Sequence, residues 1–238
     1  MKFFFCAFFS IGLLMAKAQN SISVTNTFSQ YVQNTNKDYT GTSKSMISFA
    51  TKQETEGSPY LFNDWAKGTV FLKNNDALAE ADYVLNFDKT RNLLLLKSSG
   101  QNVIEVDMDA IAGFQLQNAT STYSLFAIPE IGKGYFAELY KGSAFSLYKT
   151  LNTKFFKSDY VNKGLYETGY KYDRYVDENK YYIRAKGGTV YAVGSTKKEL
   201  KKLEEALPAV KKFLQNNEIS STETEADLIS LTKFLDQQ

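Results

Sequence analysis

Apolar and polar residues alternate along the middle of the chain, from Lys67 to about Leu151, in short stretches with brief turns between them. In Ala79-Glu80-Ala81-Asp82-Tyr83-Val84-Leu85-Asn86-Phe87 the odd positions are apolar. In Ile104-Glu105-Val106-Asp107-Met108-Asp109-Ala110 the even ones are. A period of two sends successive side chains to opposite faces, so both stretches predict strands with one buried face. Further strands are predicted at 68–73, 80–87, 93–97, 122–128, 135–140 and 144–149. The turns fall at Asn74-Asn75-Asp76, Asp88-Lys89-Thr90, Pro129–Gly134 and Lys141-Gly142. Between Val103 and Gln117, one phase runs through Ile104, Val106, Met108, Ala110, Ala112, Phe114 and Leu116, which predicts one long strand or two collinear ones bent near Gly113.

The span 152–179 is polar and rich in tyrosine and reads as including a long loop. Residues 181–185 and 189–193 flank Lys186-Gly187-Gly188, a strong hairpin signal. At Gly194 the period changes. Leu200, Leu203, Leu207, Val210 and Leu214 recur every three or four residues, which is a helical stripe. Ser195 or Thr196 with Glu199 forms a cap at its start, and Pro208 either kinks the helix or opens a second one. A last helix is expected from about 222 to 235, burying Leu228, Ile229, Leu231 and Leu235. Strands come first and helices last. The fold class is therefore mainly β, α+β by segregation, with an antiparallel meander forming a sandwich, curved sheet or barrel, followed by two or three C-terminal helices.

The N-terminus changes this picture in two ways. Lys2, an apolar run from Phe3 to Ala16 and the small-x-small triplet Ala16-Lys17-Ala18 predict a signal peptide over 1–18, with cleavage before Gln19. The run is too short for a comfortable membrane span, and no later stretch approaches one. With Lys2 and Lys17 gone from the 28 Lys+Arg, the mature chain balances its 26 Asp+Glu, and the net charge falls from +2 to zero. No bulk electrostatic case for nucleic acid is left. The chain has no histidine, and its one cysteine, Cys6, lies inside the apolar run. Disulfides, thiolate nucleophiles, histidine triads and zinc or haem ligation are excluded in the mature chain, and no cofactor is expected. The expected organisation is a signal peptide over 1–18, a polar, weakly ordered segment over 19–57, an antiparallel β domain over 58–194 and a helical segment packed on it over 195–238. Leu61, Phe62 and Trp65, at the start of the β domain, read as a plug for one end of the core.

Candidate chemistry is sparse. Glu105, Asp107 and Asp109 would share one strand face, as would Glu80 and Asp82, and such carboxylates could hold Ca²⁺ or act as an acid/base pair. A solvated sheet face explains them as well. Ser195-Thr196-Lys197-Lys198 matches Ser-x-x-Lys, but its companion motifs are missing or out of order, and a helix cap accounts for it. Lys197, Lys198, Lys201, Lys202, Lys211 and Lys212 alternate with Glu199, Glu204 and Glu205, as on a solvated helix face. Asn118-Ala119-Thr120 is a glycosylation sequon in a eukaryotic setting. The best binding candidate is the tyrosine cluster: Tyr166, Tyr170, Tyr172, Tyr175 and Tyr182 with Arg174 and Arg184. Tyrosine offers a flat apolar ring with a polar tip, suited to sugar rings or an extended peptide, and it is also a common strand residue.

Two further stretches carry a resemblance. Ser58-Pro59-Tyr60-Leu61-Phe62-Asn63-Asp64 runs into Lys67-Gly68-Thr69-Val70, and the tail 198–214 is followed by Asp227-Leu228-Ile229. From about Ser58 to the C-terminus the chain resembles a set of secreted Bacteroidota proteins of unknown function, with a β-rich body and a Lys-rich helical tail. The resemblance implies export to the periplasm or outer surface and brings no site residues with it. Three functions follow as expectations. The first is a non-enzymatic, exported binding or envelope-interaction protein, whose partner would be an envelope protein, a glycan or an apolar ligand. The second is a carrier with an apolar small molecule in a β-cavity lined by Phe and Tyr. The third is a carboxylate hydrolase, which needs two acidic groups converging at roughly 5–10 Å.

Overall fold

The computed structural model describes residues 55–74, 76–79, 81–98, 103–194, 196–216 and 224–238. The expected signal peptide, nearly all of the 19–57 segment, and Glu80 and Ser195 lie outside them. Strands account for 44% and helices for 17% of the described residues. In chain order the strands are β1 (Thr55–Glu56), β2 (Lys67–Leu72), β3 (Ala77–Leu78), β4 (Tyr83–Asp88), β5 (Leu93–Ser98), β6 (Val103–Glu105), β7 (Ile111–Gln117), β8 (Thr122–Ala127), β9 (Tyr135–Lys141), β10 (Phe145–Thr150), β11 (Thr153–Phe156), β12 (Val161–Asn162), β13 (Glu167–Thr168), β14 (Asp173–Asp177), β15 (Tyr181–Ala185) and β16 (Val190–Val193). The helices α1 (Lys197–Ala206), α2 (Ala209–Asn216) and α3 (Glu225–Asp236) follow.

The main sheet has eight strands in the order β16-β15-β10-β9-β8-β7-β2-β3, all paired antiparallel. Two excursions leave it. Between β3 and β7 the chain builds a small sheet, β4-β5-β6. Between β10 and β15 it builds an arm, in which β11 pairs with β14 and β12 pairs with β13. One half of the main sheet packs on the small sheet, with Val70, Phe114, Leu116 and Leu125 against Leu85, Phe87, Leu94 and Leu96. The other half packs on the helices, with Leu147, Ile183 and Val193 against Leu203, Val210, Phe213, Leu228, Leu231 and Leu235. The result is a curved, sandwich-like arrangement, with no closed barrel among the described residues.

The expected strand over 103–117 is broken at Val106–Ala110, and beside Gly113, where a bend was expected, the register against β2 shifts between Gly113 and Ile111. At the break the chain leaves the small sheet for the main one. The Ala110 N–H donates to the Asp107 carbonyl (3.2 Å), and the Tyr135 hydroxyl bonds to the carbonyls of Met108 (2.6 Å) and Ile111 (2.9 Å). Val106 and Met108 keep contact with the core through the break. Alternation therefore recorded burial, which continues, and not pairing, which does not. Gly113 stays inside β7, where a Cβ would strike the Leu125 carbonyl and the Phe126 ring.

Three other expectations are corrected. β4 begins at Tyr83 instead of 80 and runs on through Asp88, and its polar position Asn86 is buried, not solvated. The segment from Tyr60 to Ala66 covers that outer face. The Asn86 amide donates to the carbonyls of Phe62 (2.8 Å) and Asp64 (3.1 Å) and accepts from the Phe62 N–H (3.2 Å). Within that segment Phe62 joins the core, while Trp65 is half-buried with the Lys97 ammonium 5.9 Å from its ring. The tyrosine-rich span 152–179 contains four short strands. The ordered region also starts before Ser58, because β1 runs parallel to β14, Thr55 opposite Asp173 and Glu56 opposite Arg174.

The C-terminal elements follow their local signals. Thr196 caps α1 in a reciprocal box with Glu199, and Thr224 caps α3 in the same way with Asp227. Pro208 directly precedes α2, so it opens a second helix, as proline's missing N–H allows. Asp236, at the end of α3, fastens the helices to the β9–β10 turn. Its carboxylate accepts from the N–H groups of Ala144 (2.6 Å), Phe145 (2.9 Å) and Ser143 (3.2 Å) and from the Tyr140 hydroxyl (3.0 Å). These donors, led by the Ala144 and Phe145 amides, hold its pKa down to about 2. No described helix is long and apolar enough to cross a membrane.

Candidate binding surface

The arm is anchored at its base and bare at its tip. At the base, Asp177 accepts from Lys89 (2.7 Å) and from the Thr153 hydroxyl. Burial works to raise its pKa, but the Lys89 and Thr153 hydrogen bonds outweigh it and the carboxyl is held below its usual range. Further out, the Phe155 and Tyr175 rings pack at 5.1 Å. The Arg174 guanidinium lies 3.4 Å from the Tyr170 ring centre and 5.2 Å from that of Phe156. A planar, weakly hydrated cation between two rings stiffens the arm without a hydrophobic core. Ser158 and Asp159 tie the two sides together. The Ser158 N–H donates to Asp173 (2.8 Å), the Ser158 hydroxyl reaches the Tyr170 carbonyl (2.9 Å), and Asp159 accepts from the Tyr170 N–H (2.7 Å). Gly169 sits at φ +82°, against the Asp159 backbone, where any Cβ would collide.

Beyond these ties, every residue from 161 to 172 is exposed. The large exposed hydrophobic residues of the described chain are Phe155, Phe156, Val161, Leu165, Tyr166, Tyr170 and Tyr172, all of them on the arm. Leu165, at the hairpin tip, is 99% exposed. Scattered exposed apolar residues are ordinary; among the described residues the large ones are concentrated in this one projection.

The structure divides the tyrosine cluster. Tyr166, Tyr170, Tyr172, Arg174 and Tyr175 lie on the arm. Tyr182 and Arg184 lie on β15 in the main sheet. Tyr182 stands opposite Tyr148 and meets Phe136 edge-on at 6.1 Å. Arg184 pairs with Glu130 at 2.5 Å, and that bond holds the Glu130 carboxyl below its usual range. Phe155, Phe156, Val161 and Leu165 belong to the surface and escaped the sequence reading, which followed tyrosine alone. Their signal was present in Phe155-Phe156 and in Leu165 beside Gly164, apolar residues inside a polar span.

The carboxylates do not assemble. Glu105 pairs with Arg91 (2.5 Å), while Asp107 and Asp109 fall in the turn after β6, where Asp107 accepts from the Asp109 N–H (3.0 Å). Asp82 lies in the turn before β4 and not on a strand, and Glu80 lies outside the described residues. Among the described residues no group of three or more His, Cys, Asp or Glu is placed to hold a metal. A surface cleft of about 490 Å³ between β15–β16 and the starts of α1 and α3 contains Glu199 and Glu225, with Tyr182 on its border. Each carboxylate is already engaged. Glu199 closes the α1 cap, and the Thr196 hydroxyl bond lowers its pKa. Glu225 accepts from Lys149 (2.6 Å) and Tyr181 (3.2 Å). A general acid needs a raised pKa, and the Glu199 carboxyl is shifted the other way. Asn118 is exposed, and its side-chain oxygen closes the β7–β8 turn by accepting from the N–H groups of Thr120 (3.0 Å) and Ser121 (2.8 Å). The lysines at 198, 201, 202, 211 and 212 are solvated. No protein-family model, curated protein or solved structure matches this chain.

Proposed function

We propose that this is an exported, non-enzymatic binding protein that uses the arm as its working surface and acts at the cell envelope. One observation carries the reading: the large exposed hydrophobic side chains of the described chain all project from the arm. The body supplies a rigid base. The carrier reading has less support, because the space between the main and small sheets is filled by Phe87, Phe114, Leu94, Leu96 and Leu116, all without solvent exposure. A protein that held an apolar molecule there would need a cavity in that layer.

A photoactivatable benzophenone side chain at position 170, compared with one at the exposed Ala192 on β16, tests the reading in the exporting cell. Adducts are expected from position 170 and not from position 192. Equal labelling from both positions, or labelling from 192 alone, would overturn it.

A further inference from the structure

We propose that the tip of the arm is a membrane-surface anchor, in which Leu165, Val161 and Tyr166 enter the boundary between headgroups and acyl chains of an anionic bilayer while Lys157, Lys163 and Lys171 meet lipid phosphates. The inference rests on the arm being the working surface and names what that surface touches.

Polarity is the first argument. Lys157, Lys163 and Lys171 are exposed, and none has a carboxylate partner among the described residues. The two carboxylates of the same stretch are engaged inside it. Asp159 accepts from the Tyr170 N–H (2.7 Å), and Glu167 accepts from the Asn162 amide (3.3 Å). Bonds to these neutral donors leave both carboxylates charged, so the stretch 157–171 sets three lysines against two acids, a net +1 that an anionic bilayer complements. Two of the lysines also lean on tyrosines, with Lys163 5.8 Å from the Tyr166 ring centre and Lys171 5.7 Å from that of Tyr172. Tyrosine rings at headgroup level, beside lysines whose stems let the ammonium stay wet, are the composition of a membrane interface.

The backbone is the second argument. A loop entering the interface must not carry unpaired donors with it. The three consecutive N–H groups at the tip are internally satisfied: Lys163 donates to the Tyr166 carbonyl (3.0 Å), Gly164 to the Asn162 side-chain oxygen (2.8 Å) and Leu165 to the Lys163 carbonyl (3.0 Å). The Leu165 N–H and the two amides before it would therefore enter the interface already paired.

Shape is the third. The tip is two strands of two residues each, β12 and β13, joined by one short loop and paired only with each other. A stable protein interface takes about 800 Å² from each partner. A tip this narrow does not offer that, whereas a bilayer accepts single side chains with no complementary surface.

The test uses the mature protein and flotation on phosphatidylcholine vesicles with and without phosphatidylglycerol. Wild type is expected to float with the phosphatidylglycerol vesicles, more strongly at low salt. Leu165→Glu is expected to bind about tenfold more weakly or worse, and Lys163→Gln with Lys171→Gln to lose the stronger binding at low salt. With Trp65→Phe in the background, Leu165→Trp should shift its emission to the blue on vesicle addition. Leu165 supports nothing in the fold, so an unchanged melting temperature checks that the variants are intact. Wild type left unbound at low salt, or Leu165→Glu floating like wild type, would overturn the anchor. If crosslinks from position 170 then lead to a protein, the binding-protein reading stands and only the bilayer is ruled out as its partner.

Discussion

The two excursions from the main sheet end in opposite environments. The small sheet β4-β5-β6 and the arm are both runs of short antiparallel strands, the first rich in leucine and the second a polar stretch set with Tyr and Phe rings. The small sheet folds back on the body and is covered twice. Leu94 and Leu96 face the main sheet, Asn86 and Asp88 lie under the segment from Tyr60 to Ala66, and Phe87 meets Phe114 at 5.4 Å. The arm has no such cover. Its rings touch one another, Arg174 and the arm's own lysines, and every residue of its tip is exposed. Apolar content alone does not make a core. A core forms where a second layer returns to cover the first.

Three substitutions sharpen the contrast, each read as unfolding free energy from denaturant titration. Phe87→Ala removes a ring from between two sheets and is expected to cost about 3–5 kcal/mol through lost burial and the cavity left behind. A loss below 1 kcal/mol would mean that the small sheet is not integral to the core. Asn86→Ala leaves the Phe62 N–H and the Phe62 and Asp64 carbonyls without their buried partner and is expected to cost about 1–3 kcal/mol. Its signature is early proteolysis or amide exchange across residues 60–66, which a plain loss of packing would not localise. Arg174→Ala removes the guanidinium between Tyr170 and Phe156 at a partly exposed site, for about 0.5–1 kcal/mol. The loss should appear as faster cleavage within 155–172, with the body's unfolding midpoint nearly unchanged. If the body were destabilised as much as by Phe87→Ala, the arm would be part of the core and the contrast would fail.

Local signals in the sequence were reliable wherever the chemistry was local. Thr196-Lys197-Lys198-Glu199 is a capping box because its groups lie within one helical turn of each other. Gly188 closes the hairpin because its φ of +87° suits a residue without a Cβ, and Pro208 opens α2 for want of an N–H. Signals failed where the partner came from afar. Asn86 alternates like a solvent-facing residue, but a segment some twenty residues earlier in the chain covers it. The phase from Ile104 to Leu116 continues while the strand changes sheets. The tyrosine list joined Tyr182 to Tyr166 because they are close in sequence, yet one lies in the main sheet and the other near the tip of the arm.

By itself, then, the sequence determined the kind of each element and their order, strands before helices, because periodicity, caps and turn residues act over a few positions. Only the tertiary structure decided which faces are covered. Tyrosine and phenylalanine satisfy the same strand pattern whether buried or bare, and the difference lies in whether a distant layer returns to exclude water. It does so over Phe87 and does not over Leu165.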